Sequence, residues 1–354
     1  MASRTAADRT ARTRGRLLAL LLLVVAPVCA EYLTAYDPEV TGKAAALVGG
    51  LVVLAPLYGA PAIVIREVAA RTGMHWTGIL ALAGAFGVVQ AGVVDQSLFA
   101  LHYLGYASWE HDLAPTLIAP LGVAGSFALN FLLGHVVWSI SAPIALVEAF
   151  DPRPGRQPWV GRPGLVVLVA LWGLASVLVW SDIRADGSDQ ASPPQIAAAL
   201  ALAVGLVVVA CTFGRRRLPP RTERPVPPPG VVLGLVLVAA YAYQAIPSTW
   251  LGAGLGIAIV LVTGVVVTRW SRAAAWGPRH VAAVAGAAVL ARALVGFASV
   301  TSTVPHPPGG YAQNVVLLLL ALALVLPATF GRAPALAAVG GASDEEHGPR
   351  TTVQ

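Results

Sequence analysis

Apolar runs of about twenty residues, each closed by a short polar loop, recur from Leu17 to Phe330 and predict an all-α bundle of about ten membrane-spanning helices. The first covers 17–30, and the next three run from about Ala44 to Ala70, Trp76 to Leu98 and Ser126 to Phe150. Two more follow, about Leu165 to Trp180 and Gln195 to Gly214, and then a Pro- and Arg-rich linker at 215–230. The last four are about Val231 to Ala245, Trp250 to Val267, Val281 to Val300 and Tyr311 to Phe330. A basic tail (1–16) and a polar tail (331–354) flank them, and Pro115 to Pro120 is expected to add a short interfacial helix or a longer entry to the fourth span.

Most of these runs are Ala, Val, Leu and Gly, but two are not. FGVVQAGVVDQSLF and GSFALNFLLGHVVWSISAPIALVEAF carry polar groups costly in lipid, and the loop between them, HYLGYASWEHD, is rich in aromatic and histidine residues. Residues 17–150 are therefore expected to hold a polar pocket, with the later spans mainly scaffold.

Loop charge orients the helices. The second span ends at Arg66 and Arg71, and this end together with the loops holding Arg153, Arg156 and Arg162, or Arg215, Arg216, Arg217, Arg221 and Arg224, alternates with loops that are acidic or uncharged. By the positive-inside rule both termini and the 215–230 linker are cytoplasmic. Val28-Cys29-Ala30 after a basic and then apolar stretch is also shaped like a signal-peptide cleavage site; the anchor reading is preferred because further spans follow.

Composition supports this picture. Hydrophobic residues are 57% and charged residues 11%, against about a quarter charged in soluble domains. The net charge of +6 is explained by arginines beside spans and needs no nucleic acid. Lys43 is the only lysine, a bias expected of a high-G+C bacterial genome and hence of an inner-membrane setting. Cys29 and Cys211 belong near opposite ends of their spans, too far apart across a ~30 Å core for a disulfide.

Helical rise places Glu31, Gln90, Asp95, Asn130 and His135 in one leaflet, on three spans. As a pocket they would bind a small solute, with His135 exchanging a proton with an acidic partner; as packing groups they would only bond helices together. His135 is expected to face the third span and to find its partner among Gln90, Asp95 and Asn130. At the other end, Arg66 and Glu148 are expected to form a structural ion pair locking two helices. Arg292, near the middle of its span, costs at least ~2.5 kcal/mol on insertion scales and needs a counter-ion, Asp95 or Glu31. No spacing supports a metal site, and no cofactor is implied. The partners expected are the lipid bilayer and a small molecule, and oligomeric state is left open.

The segments EYL, YGAPAIVIREVAARTG, DQSLF, GHVVWSISAPIALVE and PWVG, across 31–161, resemble a family of bacterial multi-pass membrane proteins with no assigned activity. The chain is also similar, more weakly, to intramembrane proteases of the CAAX-protease and bacteriocin-processing type. Phe131 and His135 match their Phe-x-x-x-His motif, but the paired glutamates and following arginine would fall on Gln90, Ala91 and Asp95, none of which matches. Binding or moving a small solute is the expectation, with a protease-like enzyme or an accessory subunit without a ligand as alternatives.

Overall fold

The computed structural model describes residues 2–37, 39–106, 108–216 and 222–331, with side chains from residue 9 onward. It is an all-α bundle, and nine of its helices, among the described residues, are long and apolar enough to cross a membrane. They are α1 (Ala2–Pro27, extended through Val28–Tyr32), α2 (Ala44–Thr72), α3 (Trp76–Val94), α4 (Gly125–Glu148), α5 (Arg162–Ala185) and α6 (Pro193–Phe213), then α8 (Trp250–Ser271), α9 (Pro278–Ser302) and α10 (Gly310–Phe330). Between them α7 (Pro229–Gln244) is the remaining expected span, apolar but of 16 residues. At ~1.5 Å per residue it falls short of a ~30 Å core.

Several boundaries differ from the sequence reading. The basic tail is not separate from the first span: the helix starts at Ala2. Pro115 to Pro120 forms no interfacial helix. A short helix (Trp109–Leu113) and a 3-10 turn (Ala114–Thr116) lead instead into a small antiparallel pair, Leu117–Ile118 with Val123–Ala124. Proline cannot donate a backbone N–H, so Pro115 is tolerated in the first turn but Pro120 cannot continue a helix. The side chains of the tail arginine Arg4, the linker arginines Arg217 and Arg221, and the tail beyond Gly331 lie outside the described residues. Cys29 is buried, Cys211 exposed, and both are free.

Burial sorts the helices. In α3 and α9, 61% of the most apolar window is enclosed, against 6% in α5 and 17% in α6 and α8. The exposed faces of these outer helices carry Val166, Val177, Leu202, Leu251 and Leu261, the surface a lipid-facing shell requires. α9 packs lengthwise against α7 and α10 and touches the end of α4, and α3 packs on α6. Of the last six spans, α9 therefore belongs with the enclosed helices.

One end of the bundle is tied by charge. Arg66 and Glu67 are both fully enclosed. Arg66 bonds Glu67 at 2.9 Å and Glu148 of α4 at 3.0 Å, and its guanidinium lies 3.7 Å from the centre of the Trp159 ring. Glu67 also accepts from Arg71 at 3.1 Å and from the backbone N–H of Trp159 at 2.6 Å. Glu148 is gripped a second time by Arg156, at 2.6 and 2.8 Å, and Arg71 donates to the Val160 carbonyl. The 149–161 loop closes on itself through Asp151, which takes Arg153 at 2.7 Å and the Trp159 indole at 2.7 Å. Burial alone would raise the Asp151 carboxyl, but these donors hold it below the ordinary carboxylate range.

Removing one partner of a buried ion pair strands the other, whereas an exposed pair contributes little. Arg66→Met is therefore expected to cost about 3 kcal/mol, and Arg71→Met, whose side chain is 31% exposed, at most about 1 kcal/mol. The check is the thermal unfolding midpoint of each variant in detergent; equal midpoints would show that Arg66 does not anchor the lattice.

Candidate functional site

Four helices abandon the α-helical hydrogen-bond pattern, α1 and α3 at the end away from Arg66 and α2 and α4 near mid-span. Each contains a π-helical turn: Val28–Tyr32 in α1, Ala55–Gly59 in α2, Gln90–Val94 in α3 and His135–Ser141 in α4. In such a turn the N–H reaches back five residues, as in Leu33 to Val28 at 3.2 Å and Asp95 to Gln90 at 3.0 Å. Proline supplies part of the cause. Pro61 and Pro143 lack the N–H that the carbonyls of Leu57 and Ser139 would otherwise receive, so the helix widens just before each. The turn of α4 touches those of α1 and α2.

These turns carry Glu31, Tyr58, Gln90 and His135, and the side chains meet. Tyr36 donates to Glu31 Oε2 at 2.6 Å, and Tyr58 turns its hydroxyl to the same carboxylate. The Tyr58 ring is stacked on His135 at 5.9 Å, and Phe86 meets His135 edge-on at 5.6 Å. Gly87 lets α3 come this close, since a β-carbon there would lie 2.9 Å from that of His135. Gln90 donates to Asp95 Oδ2 at 3.2 Å, and the Ser97 N–H to Asp95 Oδ1 at 2.9 Å. Arg292 enters from α9, donates to the Ala30 carbonyl at 3.0 Å and lies 4.9 Å from the centre of the Trp138 ring. Glu31, Asp95, His135 and Arg292 are only half-buried, so together they line a crevice rather than a sealed core.

The sequence expectations divide accordingly. Glu31, Gln90, Asp95 and His135 share the crevice, and His135 does face the third span. Its hydrogen-bond partner, however, is none of the three expected residues: Nδ1 pairs with Ser139 Oγ of its own helix at 3.1 Å. Asn130 is exposed and stands outside the crevice, because its position on α4 turns away from the face that bears His135. Arg292 has no carboxylate within ion-pair distance among the described residues; Glu31 exerts the leading attraction on it. Arg66 and Glu148 form the ion pair described above, far from this site. Phe131, the other half of the Phe-x-x-x-His spacing, stacks on Trp109 at 5.9 Å instead of joining His135. Among the described residues no three His, Cys, Asp or Glu side chains are grouped to hold a metal.

Tyr36, Tyr58 and Trp138 were not anticipated. The only local hints were prolines beside Tyr58 and the unusual density of aromatics near the polar spans.

The loop after α3 forms a roof. Tyr103 and Trp109 stack at 4.6 Å, Tyr106 and Trp109 at 6.4 Å, and Trp109 rests edge-on against Phe127 at 4.8 Å. With His102 and Glu110 these rings line a cavity of about 220 Å³. Burial pushes the Tyr106 phenol up to about 12, and that of Tyr103 up more strongly, with further contributions from Glu31 and, for Tyr103, Asp95. The Glu31 charge is the main reason that Tyr36 is also raised, so it stays a protonated donor. The roof is pinned to the α5–α6 loop: the Leu101 and His102 N–H groups donate to Asp189 Oδ2 at 3.1 and 2.8 Å, and Leu104 N–H to Ser188 Oγ at 2.9 Å.

Comparisons with protein-family models, with curated proteins and with solved structures found no match for the chain.

His102 fastens the roof through Asp189 at 3.0 Å and Glu110 at 2.8 Å. The hydrogen bond it donates to Asp189, aided by the charge of Glu110, raises its folded-state pKa above the ordinary histidine value. A group raised on folding stabilises fully below its unfolded value and loses that effect as pH climbs through the folded one. Hydrogen-exchange protection across 101–110, corrected for intrinsic exchange, is therefore expected to fall between mildly acidic and mildly alkaline pH. In His102→Ala it should be low and flat; a wild-type profile independent of pH would remove the imidazolium from the fastening.

Proposed function

We propose that this chain is a multi-pass membrane protein of the bacterial inner membrane that binds, or moves, a small organic cation in the crevice beneath the aromatic roof. The observation that supports this best is the convergence of two carboxylates, Glu31 and Asp95, with the rings of Tyr36, Tyr58 and Tyr103. Two carboxylates, Glu31 and Asp95, face a single guanidinium, Arg292, in the crevice. Negative charge beside aromatic faces favours an amine or quaternary ammonium, each ring contributing about 0.5–2 kcal/mol.

Two polar atoms also speak for a ligand. Gln90 Oε1 and Arg292 Nε are buried without a protein partner among the described residues. Left unsatisfied, each would cost about 1–3 kcal/mol, so a solute or its water has work to do there. Below them the Arg66 lattice closes the bundle, which favours binding from one side; transport would require that lattice to open.

The positive-inside rule gives the side. Arg153, Arg156, Arg215, Arg224 and Arg272 lie at the Arg66 end, whereas the loops at the crevice end carry Asp37, Glu39, Glu110, Asp112 and Asp186. The crevice accordingly opens outward, and the termini and 215–230 linker are cytoplasmic. In a Cys211→Ser background, an impermeant thiol reagent applied from outside is expected to label Gln190→Cys and to miss Glu223→Cys. The opposite pattern would invert the topology.

For the ligand, thermal unfolding of the full chain in detergent is measured with small amines and quaternary ammonium ions, and with matched carboxylates. A fitting cation at about a hundred times its Kd stabilises by about 2.7 kcal/mol; Asp95→Asn and His135→Leu should still purify folded but lose that rise. A rise given only by carboxylates, or one that both variants keep, rejects the cation crevice.

A further inference from the structure

A second cavity, of about 350 Å³, lies at the Arg66 end and is lined by Thr222, Arg224, Arg269 and Arg272. Its walls come from two separate stretches. Arg269 is in the last turn of α8 and Arg272 just beyond it, while Thr222 and Arg224 belong to the linker that enters α7. The linker is held in place by a parallel bridge, in which the Thr222 N–H donates to the Arg272 carbonyl at 2.8 Å and the Ala274 N–H to the Thr222 carbonyl at 2.9 Å.

Two plain explanations account for single arginines here. Basic residues mark the cytoplasmic side, and Arg269 complements the negative end of the α8 dipole. Neither explains why Arg224 is carried by a backbone bridge to the same cavity. No carboxylate lies within 4.0 Å of any of the three guanidinium groups among the described residues. Three like charges brought together oppose the fold unless an anion joins them.

The surroundings specify that anion. Val226, Val267 and Trp270 pack against the buried cluster of Val232, Val236 and Trp276 beside the cavity. A basic site next to an apolar cluster, with tryptophans at the level where a helix leaves the core, is the arrangement found at headgroup depth. Guanidinium forks match phosphate oxygens in pairs. We propose that this cavity binds a phosphate group, presented as the headgroup of an anionic phospholipid, and thereby fixes the linker against α8.

The test uses the full chain in mixed micelles, with bound lipid counted by native mass spectrometry during titration with phosphatidylglycerol or phosphatidylcholine. Wild type is expected to retain phosphatidylglycerol selectively. Arg224→Gln should weaken retention about fivefold. Because neutralising arginines can disturb topology, the decisive variant is Arg269→Lys/Arg272→Lys, which keeps every charge but loses the forks and should bind about tenfold more weakly. Inorganic phosphate is titrated in a parallel arm without anionic lipid; binding there, with the same sensitivity to the lysine variant and no lipid retention, keeps the phosphate site and assigns it a soluble source. If neither anion binds above phosphatidylcholine, or the lysine variant binds as wild type does, the cavity is no phosphate site and its arginines serve topology alone.

Discussion

In hydrocarbon every backbone N–H and carbonyl must find its partner within the protein, and this constraint gives the four widened turns their meaning. A π-helical turn keeps the backbone bonded while shifting the side-chain register. The chain can therefore re-aim Glu31, Tyr58, Gln90 and His135 without opening the helices that carry them. An ordinary α-helix through Tyr58 would present a different face to α1, because each extra residue in a turn rotates everything beyond it. Where the second helix widens, Gly59 also admits the Leu23 carbonyl of α1, so close approach and widened geometry occur together.

The charged lattice around Arg66 answers the same constraint at the other end. Glu67 is fully enclosed, and its two oxygens are shared among Arg66, Arg71 and the Trp159 N–H. Such a carboxylate is tolerable only with that full complement, so the position of the 149–161 loop follows from it. The loop in turn returns Arg156 to Glu148 and fixes the end of α4. Since the same helix bears His135 at its widened turn, α4 connects the lattice to the crevice.

Hydropathy and loop charge made the bundle legible, because apolar length is a direct requirement of the bilayer. The polar spans were also legible, since Gln90, Asp95 and His135 stand out against Ala and Val. The partner of His135 was not. Depth along a helix follows from sequence spacing, but azimuth depends on the turn geometry, and a widened turn falls at His135 itself. Asn130 misled for a related reason: it shares the leaflet of the crevice but not its face. Tyr58 was hidden because a tyrosine in the middle of an apolar span reads equally well as a packing residue between helices.

The position of Arg292 follows from how the helices are sorted. α5, α6 and α8 expose most of their surface, so a charged side chain midway along any of them would meet lipid. α9 is enclosed by α7, α10 and the end of α4, and only such a helix can carry a guanidinium into the interior. There it finds the carbonyl of Ala30 and the face of Trp138, and Trp138 is itself tied to α9 through the Ala288 carbonyl at 2.8 Å. Arg292 thus makes α9 the fifth wall of a crevice whose other four walls are sequential.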